Sequence, residues 1–159
     1  MLRLPAGRRD HLRPGLGDLF VVRTAGHVAG PEVLGSIQYG VSVLGSPLVV
    51  VLGHDACGAV AATRAAVADG TTAGGYVRNV VEKVTPSVLA ARAAGRTEDA
   101  DFIAEHIRHT VDLLLERSRA LAAYRYSPFH ARGTDLRPSW PVRGQAAAGV
   151  RSARPNRSA

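Results

Sequence analysis

The sequence predicts an α/β fold: a central parallel β-sheet flanked by helices. Three observations carry this. Residues 47–53 (PLVVVLG) are continuously apolar and rich in β-branched side chains, the pattern of a parallel strand covered on both faces. Strand-like runs and segments of helical period follow one another between residues 18 and 122, in the strand–helix–strand–helix order of α/β proteins. The strongest strand also runs straight into a polar, glycine-bounded turn, Gly53-His54-Asp55-Ala56-Cys57-Gly58, at the carboxyl edge where open α/β sheets hold ligands. The 159 residues fit one domain of about 100–200 residues. A hydrophobic content of 46% is enough for a core. Alanine, valine and glycine dominate it, so that core is expected to be built from small side chains.

Each element has its own justification. Residues 1–14 are basic, show no periodicity and read as irregular. Residues 18–24 contain Leu19-Phe20-Val21-Val22 and read as a short buried strand. Residues 25–30 form a glycine-punctuated loop. A helix is expected over 31–45, where Pro31 and Glu32 suit a first turn, Gly45 suits the stop, and Val33, Ile37, Val41 and Leu44 recur at helical spacing. After the 47–53 strand, Asp55 can cap an alanine-rich helix over 56–68, which Asp69-Gly70 stops. A third helix is expected over 76–94, interrupted or kinked near Pro86. Thr97-Glu98-Asp99 opens a long helix to residue 122, with Ile103, Ile107, Val111, Leu114 and Leu115 on one face.

Beyond residue 123 the pattern ends. Residues 124–159 are rich in Arg, Pro, Ser, Gly and Ala without a strand-length apolar run, so a basic, mostly disordered tail is expected. The organisation is thus an irregular 1–14, a domain over 15–123 and a tail over 124–159. The net charge of +7 belongs to that tail: residues 118–159 hold eight arginines and one acid, Asp135, while residues 1–117 balance twelve bases against twelve acids. A neutral domain argues against nucleic acid or an anionic membrane as the main partner. No apolar run approaches the ~20 residues that span a bilayer. The start has no apolar signal-peptide core, and the one cysteine, Cys57, excludes an internal disulfide framework. Cytoplasmic localisation is the expectation.

The residues able to carry chemistry are His54 and Cys57, spaced H-x-x-C across the strand-to-helix turn. Imidazole and thiolate are both zinc ligands, and a helix N-terminus favours thiolate over thiol. On spacing alone, a purely structural histidine and cysteine is the stronger reading. Two ligands are also fewer than the three protein ligands of a catalytic zinc site. The glycines and helix N-terminus of this turn leave open a second class, a small α/β module binding an anion or nucleotide. Tyr124, Tyr126, Phe129 and Trp140 among the tail arginines leave open a third, nucleic-acid binding by stacking.

The surrounding residues resemble one family. Residues 15–26 (GLGDLFVVRTAG), 34–41 (LGSIQYGV), 47–58 (PLVVVLGHDACG) and 74–78 (GGYVR) are similar, in order, to segments of bacterial β-class carbonic anhydrases. The resemblance spans about residues 15–122. It implies a β-carbonic-anhydrase-like fold truncated at both ends, a zinc cofactor, and reversible hydration of carbon dioxide to bicarbonate through zinc hydroxide. It also implies a homodimer or higher even oligomer. The family binds zinc with C-x-D-x-R followed later by H-x-x-C, and His54 and Cys57 match the second motif. The first motif is missing: Met1 stands where its cysteine belongs, and Arg3 and Pro5 stand where its aspartate and arginine belong. No catalytic residue is therefore assigned, the zinc site is incomplete, and an impaired or inactive chain is expected. Asp10, His11 and His27 are the conceivable substitute ligands.

Met1 to Pro5 can be encoded so that a one-base shift reads Cys-Ser-Asp-Ser-Arg, the missing motif, and the shifted frame can rejoin at Gly15. Residues 1–14 are accordingly expected to be an out-of-frame translation of the zinc-motif segment. The codons are a choice among synonyms, so the gene sequence decides.

Overall fold

A computed structural model describes residues 19–129 and 147–152. A 3-10 turn at Ala25–His27 leads into α1 (Pro31–Ser42) and β1 (Leu48–Leu52). Then come α2 (Gly58–Asp69), α3 (Val77–Ala93), α4 (Asp99–Arg117) and the short α5 (Arg119–Ala122). Two strands follow, β2 (Tyr124–Phe129) and β3 (Ala147–Ser152). Helices and strands together make an α/β chain, helix predominating.

The helices lie close to where their period places them, but two expected caps differ: Cys57 rather than Asp55 stands at the N-cap of α2, and Glu98 rather than Thr97 at that of α4, neither with a side-chain cap bond. Pro31 opens α1 with Glu32 in its first turn, matching the dipole preference. Helix α3 runs unbroken through Pro86. The expected long last helix breaks at Ser118, which ends α4 and caps α5 by accepting the Leu121 N–H. Gln38 Nε2 donates to the same hydroxyl at 2.9 Å, so one serine ties α1 to the α4–α5 junction.

The core forms around one face of α4. Phe102, Ile103, Ile107, Val111 and Leu114 are buried there against Val84, Val88 and Ala91 of α3, Val60 of α2, and Val49 and Val51 of β1. Each large apolar side chain so buried contributes about 1.5–3 kcal/mol. Leu115, expected on this face, packs at its margin. Arg64 of α2 fastens the start of α4. Its guanidinium pairs with Asp99 and lies 4.3 Å over the Phe102 ring, a cation–π arrangement.

Three further expectations are corrected. The strand expected over 18–24 does not form among the described residues: Leu19 makes a single bridge, and Phe20 to Thr24 have no regular structure. The sheet of the described residues has the order β1-β3-β2 with both pairings antiparallel, not the central parallel arrangement expected. A continuous apolar run reports burial on both faces and carries no information about a partner's direction. Finally, part of the tail expected to be disordered supplies β2 and β3. Leu48 pairs with Arg151 and Leu52 with Ala147, and β3 also lies beside α4. Backbone hydrogen bonds bring these residues into the sheet without the apolar run by which a strand is recognised. The rest of the 124–159 segment, and residues 1–14, lie outside the described residues.

Candidate metal centre

The carboxyl end of β1 is held close to α4. A Cβ on Gly53 would stand 2.7 Å from Ile107 Cδ1 and 2.9 Å from Ile103 Cγ2, so any larger residue would require the isoleucines or the strand end to shift. The chain then turns sharply through His54, Asp55 and Ala56. Ala56 has φ +52°, a left-handed conformation that costs a non-glycine residue about 1–3 kcal/mol. The turn delivers Cys57 to the N-cap of α2, where its carbonyl accepts the Ala61 N–H at 2.9 Å.

His54 and Cys57 face different surroundings on this turn. His54 is exposed, and its Nδ1 lies 2.8 Å from the Asp55 carbonyl. A carbonyl only accepts, so Nδ1 carries the proton and Nε2 keeps a free lone pair, the ligand-competent tautomer. Cys57 is a free thiol, 6% exposed, within the core cluster. Among the described residues, no three His, Cys, Asp or Glu side chains come together as a group able to hold a metal ion. Among the described residues, the turn thus offers two donors, His54 and Cys57. Met1, Arg3, Pro5, Asp10 and His11 lie outside the described residues.

His27, the remaining conceivable substitute, is engaged elsewhere. Its ring stacks on His106 of α4, with centroids 4.2 Å apart and planes at 28°. His106 Nε2 donates to the Gly26 carbonyl at 2.7 Å. The other ring nitrogen, Nδ1, lies 2.9 Å from Ser87 Oγ of α3, whose hydroxyl donates to it in the neutral ring. Both ring nitrogens of His106 are thus satisfied while the residue is 2% exposed. Burial pushes the His27 pKa down to about 4, the neighbouring His106 adds to this, and His54 adds less. Burial also lowers the pKa of His106, with a smaller contribution from His109. His27 Nε2 is buried without a hydrogen-bond partner. Sequence reasoning missed the Ser87–His106–Gly26 connection. Its one signal is spacing: His106 lies four residues after Phe102 and three after Ile103, on the buried stripe of α4.

Residues 9–126 match the family model described as carbonic anhydrase. Carbonic anhydrase 2 of Mycobacterium tuberculosis is 58% identical over 108 residues, covering 68% of this chain and 52% of that protein. A carbonic anhydrase of Mycolicibacterium smegmatis is 56% identical over the same length, again covering 68% of this chain and 52% of its own. A carbonic anhydrase of Pseudomonas aeruginosa is 46% identical over 52 residues, 29% of this chain and 24% of that protein. The chain spans about half the length of the mycobacterial relatives it matches. A strand ending in the His54-x-x-Cys57 turn, within a match that covers most of the chain, places this protein in the β-class carbonic anhydrase family.

Proposed function

We propose that this chain is a carbonic anhydrase homologue retaining half of a zinc site, His54 and Cys57, and that it hydrates carbon dioxide poorly or not at all. The observation that carries this reading is the H-x-x-C turn. It lies at the carboxyl end of β1, one donor held as the Nε2-free tautomer and the other at the N-cap of α2. The family's reaction is the reversible hydration of carbon dioxide to bicarbonate, and its metal is zinc. Here the first zinc-binding motif is absent from the sequence, and no third donor joins the turn among the described residues. No catalytic step is assigned to a metal in this chain.

Two further parts of the reading concern its surroundings. A homodimer or higher even assembly accords with the apolar side chains left exposed on and after α1, Tyr39, Val43 and Leu44, because exposed apolar groups mark association surfaces when they lie together. Location in the cytoplasm accords with a sequence that has one cysteine. No helix among the described residues is long and apolar enough to cross a membrane.

Zinc titration against a chromophoric chelator tests the proposal. Weak binding is expected, and it falls further in both His54→Ala and Cys57→Ser. Zinc affinity unchanged in both variants would remove His54 and Cys57 from the site.

A further inference from the structure

A narrow cleft lies between α2 and α4, and Cys57 lines it. Cys57, Val60, Ala61 and Arg64 follow one another at i, i+3, i+4 and i+7, so one face of α2 with its N-cap residue makes one wall. Asp99 and Ile103, at i and i+4 of α4, make the other, and Ala56 stands at the end. Cys57, Val60 and Ile103 are buried and form the floor, while Ala56, Ala61, Arg64 and Asp99 reach the rim. The cavity between them measures about 20 Å³, which holds one water and no larger molecule. Across the rim its two charged residues hold each other: the Arg64 guanidinium pairs with Asp99. The same guanidinium lies 4.3 Å over the Phe102 ring and reaches the Thr97 carbonyl at 3.4 Å. Arg64 is thus laid from α2 onto the start of α4, and the pair bridges the mouth of the cleft.

We infer that the Arg64–Asp99 pair is a gate on Cys57: closed, it shuts the cleft over the thiol, and its opening, with the core still packed, sets how fast a small reagent or a metal ion reaches the sulfur. The metal half of this statement rests on the reading of Cys57 as a zinc donor; the access of a thiol reagent does not. The closure is weak. The Arg64 and Asp99 side chains are 33% and 75% exposed, so their attraction is that of a surface pair, screened by water and salt. The ring contact adds only modestly at such exposure. The floor is held differently. Cys57, Val60 and Ile103 belong to the core cluster with Val84, Val88, Ile107 and Val111, an apolar packing that salt does not screen. Swinging the guanidinium out into water therefore uncovers the sulfur while α2, α3 and α4 stay together.

Alkylation of the full chain by iodoacetamide reads the gate. Cys57 is the one cysteine, so intact mass follows its labelling directly. The sulfur attacks the reagent's methylene carbon, a C–S bond replaces the C–I bond, iodide leaves, and the thiol proton passes to solvent. The reagent is neutral, so salt acts on the gate and not on the reagent's approach. Asp99→Asn frees Arg64 and is expected to raise the labelling rate up to about fivefold. Arg64→Ala removes the bar itself and is expected to raise it as well. Loss of a carboxylate favours a nearby thiolate and loss of a guanidinium disfavours it, so a purely electrostatic effect would move the two variants in opposite directions. Molar sodium chloride should speed labelling of the wild type and leave Arg64→Ala unchanged. Gln38→Ala, which loosens the tie between α1 and Ser118, is the control for lost stability and should leave the rate as it is. Opposite or absent changes in the two gate variants, an equal acceleration by Gln38→Ala, or a wild-type rate that climbs with urea as steeply as global unfolding would overturn the inference. Labelling needs no metal, so its failure leaves the zinc reading of Cys57 standing, and a chain that binds no zinc leaves the gate standing.

Discussion

Gly53 and Ile107 approach so closely that any side chain at 53 would force a shift: a Cβ on Gly53 would stand 2.7 Å from Ile107 Cδ1. This places the end of β1, and the His54-x-x-Cys57 turn that follows, directly over α4. Gly53→Ala must push strand from helix or force isoleucine rotamers, at a cost of about 1–3 kcal/mol. Chemical denaturation measures that loss. Ile107→Val, which removes the clashing methyl, is expected to recover part of it in the double variant. Equal losses with and without Ile107→Val would place the strain elsewhere.

Stability should fall with acid before the carboxylates titrate. The folded chain holds His27 near a pKa of about 4, against an ordinary 6.5, and lowers that of His106 in the same sense. Between those values the unfolded chain binds more protons than the folded one, so unfolding free energy rises with pH. The contribution is fully present above pH 6.5 and is lost as pH falls toward 4. Denaturant midpoints from pH 7.5 to 5 should decline, and the decline should flatten in the His27→Leu, His106→Gln double variant. A flat wild-type profile over this range would contradict the burial of the pair.

Ser118→Ala removes two bonds at once, the cap on Leu121 N–H and the acceptor of Gln38 Nε2. Loss of an N-cap costs about 0.5–2 kcal/mol, and the abandoned Gln38 amide adds to it. Gln38→Ala in the Ser118→Ala background should cost less than in the wild type, which a double-mutant cycle on thermal or denaturant unfolding reads directly.

Much of this was legible beforehand because it rests on local chemistry. Proline and glutamate at the start of α1, the apolar stripe of α4 and the β-branched run of β1 each write their structure within a few residues. The H-x-x-C turn was legible for the same reason. Sheet direction was not, because the partner of Val49–Val51 lies about one hundred residues away, where Ala147–Ser152 has little apolar character. Nor was the strandless course of Phe20–Thr24, whose apolar residues fit a strand as well as a packed loop. The Ser87–His106–Gly26 connection went unread because these residues are brought together only by packing α3 and α4 against the turn.

The pairing of β3 with β1 makes its own demand. Deleting residues 124–159 strips β1 of the partner that pairs Leu48 through Leu52, and an unpaired strand edge invites association. Light scattering of the shortened chain should therefore show concentration-dependent aggregation absent from the full chain. A monodisperse, equally stable shortened chain would show the pairing to be dispensable.

If His54 and Cys57 are half of a zinc site without its complement, the purified chain should hold well under one zinc per chain and hydrate carbon dioxide no faster than the uncatalysed reaction, both read on one preparation. One tightly held zinc per chain with catalysed hydration would contradict it.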